Sequence, residues 1–121
     1  MQHKMFISKQ QHKKYEDELN QEYNDVVDLI LCPNHGASTM TKFNQRIRPS
    51  IYYIYITGIN ASVIITKLAD LLLIKEIDCS LIGDKIMQLV SEAKFNLNLN
   101  NGKSEIQIIS HFIIKTMKIF R

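Results

Sequence analysis

Phe95-Asn-Leu-Asn-Leu-Asn-Asn-Gly-Lys-Ser-Glu-Ile-Gln-Ile108 is the stretch on which the reading of the fold turns. Phe95, Leu97 and Leu99 alternate with asparagines, Asn101-Gly102 is the strongest two-residue hairpin signal, and Ile106-Gln-Ile108 alternates again. Closing a type I′ turn on Asn101-Gly102 pairs Leu97 with Ile106 and Phe95 with Ile108. The apolar residues then share one face, and Asn96, Asn98, Asn100, Glu105 and Gln107 share the other. Pattern and turn chemistry select the same register, so residues 95–109 are expected to form an antiparallel hairpin.

Immediately upstream lies a second pattern. Thr66 is a plausible N-cap for Lys67-Leu-Ala-Asp-Leu-Leu-Leu-Ile74, and Asp78 for a longer helix from Cys79 to about Lys94. Two helices crossing steeply need a small residue where they meet and apolar residues at fixed later places. Ala69 supplies the first; Leu72, Ile74, Cys79 and Ile82 supply the rest, at the spacing of a helix-turn-helix. A helix-turn-helix followed at once by a hairpin is a winged helix. The expected class is therefore α+β, a winged helix-turn-helix occupying residues 51–121.

Working outward, Ile51-Tyr-Tyr-Ile-Tyr-Ile56 is rich in β-formers, yet Ile51, Ile54, Tyr55, Ile59 and Val63 also fit one helical face. The helical reading is preferred because a helix-turn-helix pattern comes directly after it in the chain. Residues 15–31 carry Tyr15, Leu19, Tyr23, Val26, Val27, Ile30 and Leu31 as the stripe of an N-terminal amphipathic helix. Residues 1–14 read as a flexible basic arm, and residues 32–50, with Gly36 and Pro49, as a linker. The last eleven residues are too apolar for a free tail and are expected to extend the hairpin or to form a short helix, with a role in dimer contact.

The chain has 121 residues, 45% of them hydrophobic, enough for one core and not two. No window approaches the roughly 20 apolar residues of a membrane span. The start lacks the features of a secretory signal, and two cysteines are too few for a disulfide framework, so a cytoplasmic protein is expected. Residues 15–31 contain six acids and no Lys or Arg, so all 15 basic residues lie elsewhere with the other six of the 12 acids. A basic body with one acidic segment suits a polyanionic partner.

The runs Arg48-Pro-Ser-Ile-Tyr-Tyr-Ile-Tyr-Ile-Thr57 and Ile65-Thr-Lys-Leu-Ala-Asp-Leu-Leu-Leu-Ile-Lys75 resemble the CaiF/GrlA type of enterobacterial transcription regulator, over about residues 48–99. Pro49 with Tyr52 or Tyr53 matches that family's Pro-Leu-Tyr helix, and Leu68-Ala69 its Ile-Ala helix. Ser80, Ile82 and Ile86 fall in its recognition helix, whereas its tryptophan and turn glycine are absent. The resemblance implies a DNA-binding regulator of an accessory or virulence-type operon, controlled by a partner protein.

On this reading double-stranded DNA is the partner and a homodimer the working form. Ser80, Leu81 and Gln88 are the expected base-edge contacts, and Lys75 and Lys85 reach phosphate or guanine. Lys67, Lys103 at the wing tip, and Arg46 and Arg48 in the linker supply phosphate contacts. Glu76, Asp78 and Asp84 oppose those lysines. They favour an alternative of a different class, a small protein-binding inhibitor or adaptor such as a phage or mobile element encodes. Cys32-Pro-Asn-His35 has a spacing that fits half a zinc site, with no matching pair elsewhere, so no metal or other cofactor is expected. No Gly-rich phosphate loop and no catalytic triad order stands out, and an enzyme is not expected.

Overall fold

A computed structural model describes residues 9–32, 34, 36–75, 80–99 and 104–120. Among these all regular structure is helical: α1 Lys9–Leu31, α2 Thr39–Lys42, a π-helical turn Phe43–Ile47, α3 Arg48–Ile56, α4 Ala61–Lys75, α5 Ser80–Leu99 and α6 Glu105–Phe120. The fold is all-α, and the expected winged helix is overturned.

The hairpin fails for a physical reason. Phe95, Leu97 and Leu99 are the last turns of a helix that starts at Ser80. Read at helical period, Ile86, Val90 and Ala93 are buried, Leu97 packs against them, and Phe95 stands 62% exposed. Ile108, Ile109, Phe112, Ile113 and Met117 continue the same period along α6. The Asn101-Gly102 turn itself lies outside the described residues. Alternation over five residues cannot outweigh a helical stripe that runs for several turns.

Ser104 starts α6 through a reciprocal cap. Its hydroxyl accepts the N–H of Gln107 at 3.2 Å, and Gln107 Oε1 accepts the N–H of Ser104 at 3.3 Å. Far from being an appendage, α6 lies at the centre, touching α1, α2, α3, α4 and α5. Its buried Thr116 hydroxyl donates to the Phe112 carbonyl at 2.7 Å, so no polar group is stranded there.

The helix-turn-helix expectation is also corrected. The α4 helix begins at Ala61, where the Asn60 side chain accepts the N–H of Ser62 at 2.8 Å, so Thr66 sits inside it rather than capping it. Ala69 and Leu72 are buried and Ile82 packs on the core, but Ile74 is 67% exposed and joins no inter-helix core. Cys79 lies outside the described residues. What α4 and α5 form is a packed pair within a larger bundle.

Residues 15–31 lie in α1 with Tyr23, Val26, Val27 and Ile30 buried and Leu19 partly so. In the stretch read as a linker, helix resumes at Thr39, where Ser38 Oγ accepts the Thr41 N–H at 3.0 Å. Pro49 does not end the helix. It has no N–H to give Gln45 and its ring crowds that carbonyl, and the preceding turn opens to π geometry, with the Arg48 N–H reaching Phe43. Helix therefore runs on from Thr39 to Ile56, and Phe43, Ile47, Ile51 and Ile54 face the core. Lys42, itself buried, extends its ammonium to the carbonyl of Cys32 and to Asn34 Oδ1 at 3.4 Å, closing the end of α1. Burial pushes its pKa down, with the thiol of Cys32 opposing and Arg46 adding to the shift.

Candidate functional site

A groove of about 550 Å³ runs between the α2–α3 rod and α6. One wall is the stripe Met40, Asn44, Arg48 and Tyr52, one residue per turn. The other is Gln107, His111, Ile114 and Lys118, again on one helical face, with Ile106, Ser110 and Lys115 beside them and Phe43 lining the wall opposite. The apolar part is Phe43, Ile106, Ile114 and the half-exposed Met40. Arg48, Lys115 and Lys118 are exposed cations along it, and no Asp or Glu lines it.

The polar groups are partly preset. Arg48 donates to the Tyr52 hydroxyl at 3.2 Å, and its guanidinium carbon lies 5.3 Å from the ring centroid, so the two hold each other one turn apart. Lys115 is 3.6 Å from Glu92 of α5 on the groove's far flank. The two walls are tied at one end by Tyr55 Oη, which donates to Glu105 Oε1 at 2.9 Å; this bond raises the phenol's pKa. Such a trough can take an apolar ridge along its floor and carboxylates or phosphates along its rim. Among the described residues no group of His, Cys, Asp and Glu could hold a metal ion, and no helix is long and apolar enough to cross a membrane.

The residues expected as DNA contacts fall elsewhere. Lys67 is exposed on α4, and Lys75, at that helix's end, is paired with Asp28 of α1. Leu81, Lys85 and Gln88 are exposed along one face of α5, which Ser80 opens. Lys103 lies outside the described residues. Of the linker cations, Arg48 is in the groove. Sequence reasoning misses its partners there, because Tyr52 bears on the fold and Lys115 and Lys118 belong to the apolar end.

No family model matches the chain, and no solved structure matches it significantly. A protein of Acanthamoeba polyphaga mimivirus assigned as a replication factor C small subunit is 37% identical over 100 residues. The match takes in 83% of this chain and 26% of that protein, so the chain spans about a quarter of the length of its relative. This finding and the absence of strands among the described residues overturn the resemblance to CaiF/GrlA-type regulators and the reading as a transcription regulator.

Proposed function

We propose that the chain is an assembly element of a replication complex, working through protein–protein contact with no catalytic step of its own. The observation that carries this is the 37% identity to a replication factor C small subunit, extending over 83% of the chain. A subunit is defined by what it assembles with, and the part matched here folds as helices around one apolar core. Beside that core is an open groove with an apolar floor and a cationic rim, the arrangement that receives a helix or an extended segment of another protein. On this reading the chain meets DNA as part of the complex, in the compartment where DNA is copied. Depleting the chain in cells that express it tests this. Incorporation of a labelled nucleoside into DNA should fall before transcript levels change; an early change in transcripts with DNA synthesis intact would contradict it.

A further inference from the structure

We propose that the groove between α3 and α6 receives an acidic amphipathic helix of a partner subunit. The proposal deepens the assembly reading and rests on it for the premise that this chain meets other subunits; the chemistry of the occupant follows from the groove itself.

Tyr55 meets Glu105 at one end and α2 meets α6 at the other, so the two walls run antiparallel. The stripe from Met40 to Tyr52 covers roughly three turns, on the order of 18 Å, the footprint of one short helix. Both walls are themselves helices, whose backbone N–H and C=O groups are bonded along their own length. An extended segment laid between them would find few main-chain partners and would leave its own N–H and C=O groups unpaired. A helix satisfies its own backbone and brings side-chain ridges that fit the valley between two others. Backbone chemistry therefore selects a helix.

Ile106 and Ile114, both half-buried, lie about 12 Å apart along α6. A helix lying beside α6 covers that distance with apolar side chains at i, i+3 or i+4, and i+7. Arg48 stands on one rim and Lys118 on the other, both exposed, and among the described residues no ion pair engages either. No Asp or Glu lines the groove. Carboxylates flanking the occupant's apolar stripe complement those cations, whereas lysines there would meet like charge. Nucleic acid fits the same groove less well. Stacked bases need open aromatic faces and a phosphate backbone needs a cationic track. Here the floor is apolar, and Tyr52 on the rim already holds the Arg48 guanidinium over its ring at 5.3 Å.

The probe is a fluorescein-labelled synthetic helix of about 15 residues, roughly 22 Å long, with leucines along one stripe and glutamates flanking it. Fluorescence anisotropy follows its titration with the full chain. Two further peptides serve as comparisons: one of the same composition with the leucines scattered around the helix, and one with lysines in place of the glutamates. The striped acidic peptide should bind with a Kd on the order of 10 μM, and both comparison peptides at least tenfold more weakly. Arg48→Glu with Lys118→Glu should weaken the acidic peptide at least tenfold and turn the preference to the lysine peptide. Lys118→Glu alone, which leaves the Arg48–Tyr52 contact in place, should weaken it at least threefold. Circular dichroism checks that each variant keeps the parent's helical spectrum. No binding by the parent chain would overturn the proposal, as would equal binding of striped and scattered peptides, or reversals without effect. A fluorescent oligothymidine bound more tightly than the peptide and lost on the same reversal would give the groove to nucleic acid. Self-association of the parent in sedimentation velocity, lost on that reversal, would give it to a second copy. Either result overturns the proposal and leaves the assembly reading to the depletion assay, which does not depend on the groove.

Discussion

Ser104 and Gln107 satisfy each other's backbone, hydroxyl to N–H at 3.2 Å and side-chain carbonyl to N–H at 3.3 Å, and so set the first turn of α6. Two of the four N–H groups that a helix start leaves without partners are met this way. Since α6 packs on five other helices, its cap bears on the whole bundle. Ser104→Ala should cost about 1 kcal/mol in urea unfolding, and Ser104→Gly only a few tenths. Equal and negligible effects of both would mean the cap contributes nothing.

Burial along α5 and α6 separates the helical bundle from a hairpin. Ile109 and Ile113 are fully buried, whereas Phe95 is 62% exposed. Ile113→Ala should lose about 2–5 kcal/mol by transfer and cavity terms. Phe95→Ala should stay within about 0.5 kcal/mol, as surface changes do. Comparable losses at both positions would place Phe95 in the core, as the hairpin required.

Lys42 gives stability a pH slope. Its folded pKa lies below the ordinary 10.5 because burial penalises the charged form. Between the folded value and 10.5 the unfolded chain holds more protons, so stability rises with pH through that window and the gain is lost as pH falls through it. The stability of the parent minus that of Lys42→Met should climb as pH approaches 10.5. A flat difference would mean that Lys42 is hydrated in solution.

Tyr23 acts in the opposite sense. Burial pushes its phenol up to about 12 from an ordinary 10.0. The neutral form belongs to the fold, so this contribution is full below pH 10.0 and is lost as pH rises through about 12. Ultraviolet titration should show a tyrosine ionising at about 12, and Tyr23→Phe should remove that step and flatten the alkaline fall in stability. A titration that Tyr23→Phe changes only near 10.0 would show Tyr23 open to water.

These residues also show how much of the molecule is legible in its sequence. The stripe of α1 at Tyr23, Val26, Val27 and Ile30 is plain, since four apolar residues at helical spacing opposite a run of acids have few other readings. The helical preference for residues 51–56 and the burial of Ala69 are legible too. The end of α5 misleads because Phe95-Asn-Leu-Asn-Leu99 is short enough to satisfy both periods, and Asn101-Gly102 then weighs as a hairpin. The opposing signal is present: Ser104-Glu-Ile-Gln107 is a capping box, and it marks a helix start just where the hairpin needs a strand. Pro49 looks like a boundary because a proline usually breaks the backbone ladder; here one π turn takes up the clash. The groove is beyond reach in principle. Arg48 stands out as a cation, but its neighbours Lys115 and Lys118 come from the far end of the chain, and only the packing of α6 beside α3 brings them together.

Cross-linking mass spectrometry on the tagged chain, isolated from cells that express it, tests the central claim most directly. Amine-reactive linkers sample lysines, and Lys115 and Lys118 are exposed on the groove, with Lys67 and Lys85 on other faces. Replication-complex subunits should be recovered, with links concentrated at Lys115 and Lys118 and both sets of links lost when Arg48→Glu is introduced. Recovery of transcription machinery in their place, or of no replication subunit at all, would contradict it.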